Sequence, residues 1–182
     1  PLAGELDWFV EWMQGYGKTP SWQYSKPKLS SSELIIDITR TNSEKITILS
    51  LGPMTNIAKA IQQYPDLALG VEEIVAMGGS FSEKPTPPEF NIQCDPKAVD
   101  IVLRSGIKTT MIGLNITEQV VFTQEEFSSL DESNQVLQML KKQSRGWIAR
   151  VEKMGWHEKG CALHDAIAAL YLIRPELFKT VD

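Results

Sequence analysis

Three places in the sequence bring together side chains that could do chemistry. In Glu89-Phe90-Asn91 a carboxylate and an amide lie two residues apart. In extended backbone such positions point the same way. The pair, bracketing a buried Phe, could then accept from and donate to neighbouring hydroxyls, as holding a sugar requires. The same residues also read as an N-cap and turn ahead of Asp95-Pro96. In His164-Asp165, at the head of an apolar run, Asp165 could coordinate a hard cation and His164 could hand a proton to a leaving group. A carboxylate at that position equally suits the positive end of a helix dipole. His157, Cys161 and His164 have zinc-type spacing, but Cys94 is the only other thiol and no C-x-x-C pair exists. No G-x-x-x-x-G-K-[ST], G-x-G-x-x-G or G-x-S-x-G run occurs, which removes support for a phosphate loop or a serine-hydrolase elbow.

The elements that must position these residues follow from hydrophobic periodicity. Residues 45–51 (KITILSL) and 73–77 (EIVAM) read as buried strands, ended by Gly52-Pro53 and Gly78-Gly79, and residues 108–114 as a third. Between them fall helices over 33–39, over 54–64 before Pro65, and from Asp95-Pro96 onward, with Ala98, Val99, Val102 and Leu103 facing inward. Thr123 and Glu126 form a capping box. A long helix spans about 133–154, carrying Val136, Leu140, Trp147, Ile148 and Val151, and a last helix about 164–173. Alternation at this spacing predicts an α/β fold, a Rossmann-like, mostly parallel sheet flanked by helices. Functional groups in such sheets gather where strands end at their carboxyl side: Leu51-Gly52, Met77-Gly78-Gly79 and Leu114-Asn115. Residues 1–32 differ from the rest. Trp8, Phe9, Trp12, Tyr16, Trp22 and Tyr24 among glycines and prolines predict an aromatic, loop-rich segment with a short helix over 5–14, ahead of an α/β domain over 33–182.

The blocks Leu51-Gly52-Pro53-Met54-Thr55-Asn56-Ile57-Ala58, Glu73-Ile74-Val75-Ala76-Met77-Gly78-Gly79, Glu89-Phe90-Asn91-Ile92-x-x-Asp95-Pro96-x-Ala98 and His164-Asp165-Ala166, followed by Arg174-Pro175-Glu176-Leu177-Phe178, occur in that order. Together they resemble the inosine-uridine-preferring nucleoside hydrolases, over roughly residues 33–178. The resemblance implies Ca2+-dependent cleavage of the N-glycosidic bond of purine and pyrimidine ribonucleosides, giving ribose and a free base. It implies that Asp165 and the carbonyl of Leu51 are calcium ligands, that Glu89 and Asn91 bind ribose hydroxyls, and that Met77 lines the ribose pocket. His164 would then lie near the base as leaving-group acid. That family carries an N-terminal D-x-D-x-x-x-D-D run at the end of its first strand. None occurs here, where the acids before Glu33 are Glu5, Asp7 and Glu11. The α/β domain therefore reads as incomplete, with its first strand region missing. Its missing half would come from a homo-oligomer or a complementing chain. The alternative is a non-catalytic relative that binds a nucleoside or another protein.

Composition narrows the field. At 182 residues and 42% hydrophobic the chain can bury a core without staples. Eighteen basic against 23 acidic residues, for a net charge of −5, disfavour a nucleic-acid binder or a polybasic membrane anchor. The expected partner is a small-molecule nucleoside, with neither nucleic acid nor membrane. No apolar run approaches transmembrane length. Two unpaired thiols and a start without a basic n-region suit a cytoplasmic protein, so the sequon Asn115-Ile116-Thr117 reads as coincidence.

Overall fold

A computed structural model describes residues 28–82 and 87–181. Most of the expected aromatic segment, including its helix over 5–14, lies outside these residues, as does the middle of the proline-rich loop at 83–86. In chain order the elements are α1 (Ser31–Thr41), β1 (Ile46–Ser50), α2 (Thr55–Gln63), α3 (Leu67–Gly70), β2 (Val71–Met77), α4 (Phe90–Cys94), α5 (Pro96–Leu103), β3 (Thr109–Ile112), α6 (Leu114–Thr117), β4 (Val121–Phe122), α7 (Gln124–Ser129), α8 (Gln135–Lys153), β5 (Cys161–Ala162) and α9 (His164–Ile173), with a 3-10 turn at Pro175–Leu177. Among the described residues they form two compact units, one of residues 28–117 together with 164–181, and one of residues 118–163.

The larger unit is built on the three-stranded sheet β1-β2-β3, parallel throughout, with Ser50 opposite Ala76 and Ile74 opposite Thr109. Alternation along β2 sends Ile74 and Ala76 to one face, where they pack with Ile57, Ala58 and Ala60 of α2, Leu67 of α3 and Ala98, Val99 and Val102 of α5. Val75 and Met77 face the other way, onto Ile167 and Ala168 of α9. Both faces are covered, so the strand reads as a continuous apolar run. Leu103, expected to face inward, is 52% exposed; the buried stripe of α5 consists of Ala98, Val99 and Val102, and Leu103 falls one residue past it. Strand β3 stops at Ile112, and Leu114 instead opens the short helix α6.

Two N-terminal devices set the helices. Ser30 and Glu33 form a capping box on α1. Asp95 caps α5 by accepting from the Ala98 N–H at 3.0 Å, and its other oxygen accepts from the Thr55 hydroxyl at 2.6 Å. One carboxylate thus ties the start of α2 to the start of α5. The Thr55 hydrogen bond is the main cause holding the Asp95 carboxyl below its usual range, with the Ala98 N–H helping and burial opposing. A depressed carboxyl pKa stabilises the fold above the ordinary aspartate range, and that stability is lost as pH falls through the native value.

In the smaller unit, β4 and β5 pair antiparallel with Phe122 opposite Cys161. Phe127, Ile148, Val151 and Cys161 form its core, the Thr123–Glu126 capping box starts α7, and Trp147 and Trp156 meet edge to face. Of the apolar residues on the long helix, Val136 and Leu140 are exposed, whereas Ile148 and Val151 are buried. Gly160 has φ +87°, and a Cβ there would lie 2.2 Å from the Phe122 carbonyl oxygen. Among the described residues no helix is long and apolar enough to cross a membrane.

Asp95→Ala is expected to cost about 1–2 kcal/mol in denaturant unfolding at neutral pH, with the difference from wild type shrinking as pH drops below about 4. Gly160→Ala should cost more than the roughly 1–2 kcal/mol of a left-handed alanine, because the added methyl also meets Phe122; an unchanged unfolding midpoint would refute that packing.

Candidate active site

The carboxyl ends of the three parallel strands carry the polar groups. Strand β2 ends at Met77, after which the Gly78 N–H donates to the Ile112 carbonyl at 3.1 Å and the Leu114 N–H to the Gly79 carbonyl at 2.9 Å. Gly79 has φ +87°, which favours glycine. A Cβ on Gly78 would lie 3.3 Å from Glu89 Oε2 and 3.2 Å from Ile92 Cδ1, so the missing side chain lets α4 approach the strand end.

Glu89 is only 6% exposed. Its Oε1 accepts from the Asn91 N–H at 2.9 Å, and its Oε2 accepts from the Ile92 N–H and the Gly79 N–H, each at 3.1 Å. Three N–H dipoles thus compensate a buried carboxylate, two from the first turn of α4 and one from the end of β2. Of the two readings of this stretch, the N-cap holds: Glu89 has extended backbone (φ −67°, ψ 144°), while Phe90 and Asn91 are already in the helix that its side chain caps. Phe90 is turned partly to solvent, 37% exposed, instead of being buried between its neighbours. The Asn91 side chain reaches back by its own route: Nδ2 donates to the Met77 carbonyl at 3.1 Å and lies 3.5 Å from Met77 Sδ. Met77, Glu89 and Asn91 therefore form one hydrogen-bonded cluster.

His164 and Asp165 open α9, which packs against β2. The half-buried His164 ring meets the Thr117 hydroxyl at 2.7 Å through Nδ1. Asp165 keeps solvent contact, yet enough protein surrounds it that desolvation raises its carboxyl pKa; the charge of His164 opposes this and that of Glu89 adds to it. Glu89 and Asp165 therefore feel each other's charge at one end of the sheet. Leu51 follows β1 on the neighbouring strand and is 42% exposed. An aspartate carboxylate and a backbone carbonyl are donors of the kind Ca2+ prefers, but that ion takes six to eight oxygens. Among the described residues no group of three or more His, Cys, Asp or Glu side chains could hold a metal, so these residues supply at most part of a calcium site.

The model of the inosine-uridine preferring nucleoside hydrolase family matches residues 9–182. The chain belongs to that family. The non-specific ribonucleoside hydrolase RihC of Salmonella schwarzengrund is 36% identical over 146 residues, 79% of this chain and 46% of that protein. RihC of Escherichia coli O127:H6 is 36% identical over 137 residues, 74% of this chain and 43% of that one. Among solved structures, a purine-preferring ribonucleoside hydrolase from Gardnerella vaginalis superposes with a TM-score of 0.83 at 32% identity, covering 92% of this chain and 54% of its own. The plant nucleoside hydrolase PpNRh1 superposes with a TM-score of 0.80 at 26% identity, covering 91% and 53%. The chain thus has the nucleoside hydrolase fold and spans about half the length of the curated relatives it matches.

Thr117 is the site residue that motif reading passed over. Its only signal was the position just past a strand end, masked by its place as the third residue of a sequon.

Glu89→Gln is expected to destabilise the fold by about 1–3 kcal/mol, because an amide nitrogen cannot accept from the N–H groups that now face the second oxygen; unfolding in denaturant measures it. Asp165→Asn should raise the melting temperature of the metal-free protein near neutral pH, since it removes a charge that desolvation and Glu89 disfavour. A lowered melting temperature would show that the charge is held favourably instead.

Proposed function

We propose that this chain supplies the sugar- and base-facing part of a ribonucleoside hydrolase that cleaves the N-glycosidic bond to give ribose and a free base, with Ca2+ required by the complete enzyme. The observation that carries the reading is the Met77–Glu89–Asn91 cluster at the strand ends, in a chain of this family. Asn91 retains its side-chain carbonyl oxygen for a ribose hydroxyl, and Glu89 Oε1, which accepts one N–H, retains a lone pair for another. Met77 gives the pocket a soft wall. In the reaction, water adds at C1′ as the C1′–N bond breaks, and the bond's electron pair leaves with the base. His164 donates a proton to that base, and the attacking water releases one. Leaving-group protonation matters because the transition state has oxocarbenium character and a poor leaving group. Asp165 and the Leu51 carbonyl would be two of the calcium ligands, with the remainder supplied from beyond the described residues. When bound, such an ion activates water at neutral pH.

A second reading is a relative that binds nucleoside through the same Met77–Glu89–Asn91 cluster without cleaving it. Reducing-sugar release from inosine and uridine, run beside equilibrium binding, separates the two. Hydrolysis supports the first reading, and binding without ribose release supports the second. In an active enzyme, His164→Ala should slow inosine by about 10^2–10^4-fold while sparing a substrate with an activated leaving group; equal losses on both would remove the acid role. Asp165→Asn should abolish most of the calcium-induced rise in melting temperature, and an unchanged rise would remove Asp165 from the ligand set.

A further inference from the structure

We infer that Thr117 is a positioning residue for His164, fixing the direction and tautomer of its imidazole, an assignment that rests on the reading of His164 as the leaving-group acid. Thr117 is completely buried, the last residue of α6, and that turn is pinned to the end of β3 because the Ile116 and Thr117 N–H groups both donate to the Gly113 carbonyl, at 3.0 and 3.1 Å. A helical hydroxyl has a ready local partner in the carbonyl four residues back. Elsewhere in this chain that partner is taken: Thr39 donates to the Ile35 carbonyl at 2.7 Å, Thr41 to Asp37 at 2.8 Å and Ser128 to Gln124 at 2.7 Å. The corresponding carbonyl for Thr117, that of Gly113, already accepts two N–H groups, and the Thr117 hydroxyl meets His164 Nδ1 at 2.7 Å, 47 residues away in sequence.

The pairing suits an acid. Among the described residues the acceptor facing the Thr117 hydroxyl proton is Nδ1, so in the neutral ring the hydroxyl donates there and the ring proton sits on Nε2; when the ring is charged the same hydroxyl accepts from Nδ1–H. A carboxylate in its place would accept only, and a backbone N–H would donate only. The bond can therefore hold the ring through the proton transfer. With Nδ1 committed to Thr117, the proton for the base must travel by Nε2, whose direction is set by α6 and the end of β3.

The test is made on the 182-residue chain by long-range 1H–15N correlation of the histidine side chains with the rings neutral. The chain has two histidines, and His157→Gln assigns them. The expected wild-type result is a single dominant tautomer for His164, lost to averaged nitrogen shifts in Thr117→Val, restored in Thr117→Ser, with His157 unmoved throughout. Unchanged His164 shifts in a folded Thr117→Val would overturn the assignment. Should that variant not fold, averaged His164 shifts in the wild type would overturn it equally. In an active complete enzyme, Thr117→Val should lower kcat on inosine about tenfold or more with KM nearly kept, a part of what a general acid supplies, and spare an activated leaving group. A tautomer effect together with equal His164→Ala losses on both substrates would leave the positioning intact and refute the acid role instead.

Discussion

The geometry at the strand ends depends on one buried carboxylate. Glu89 accepts three backbone N–H groups, two from the helix it caps and one from Gly79 just past β2. Carboxylates are costly to bury unless hydrogen-bonded, and among the described residues no lysine or arginine pairs with this one. Compensation by peptide dipoles has a geometric consequence that an ion pair would not have. It fixes the axis of α4 relative to the strand, and with it the Asn91 side chain, whose amide then finds the Met77 carbonyl. The glycine at position 78 is the complement of that arrangement, since a side chain there would press on Glu89 and Ile92.

The parallel sheet explains why these groups converge. All three strands point one way, so Leu51, Met77 and Gly113 all lie at one end, and α9, packed on β2, brings His164 and Asp165 there. Two carboxylates of like charge share that end. Desolvation first, with the Glu89 charge adding to it, disfavours ionised Asp165, the condition in which a bound cation gains most. The other end of the sheet is a different environment, where Glu73 is paired with the Lys108 ammonium at 3.2 Å and accepts from the Thr110 hydroxyl.

Much of this was legible in the sequence, for reasons visible at particular residues. After Glu73, residues 74–77 are all β-branched or apolar, and 164–173 are bounded by a polar head and Pro175, so the element types follow directly. Asp95-Pro96 announces a capped helix because both residues are suited to its first turn. At Glu89 the extended pair and the N-cap stay open in the sequence because i, i+2 spacing fits either state, and the bonds the Glu89 side chain makes decide for the cap. The pair β4–β5 was missed because two-residue strands carry no periodicity. Thr117 escaped notice because a hydroxyl's partner 47 residues away leaves no local trace.

The sequon Asn115-Ile116-Thr117 acquires a meaning from its surroundings. Asn115 Oδ1 accepts from the Phe81 N–H at 3.4 Å, and the Thr117 hydroxyl is committed to His164 in the interior. Oligosaccharide transfer needs those three residues exposed, so in a secretory host glycosylation and folding would compete for the same tripeptide. A sugar attached to Asn115 before folding would displace its contact with Phe81, a competition that a secretory expression host sets up and a cytosolic one does not.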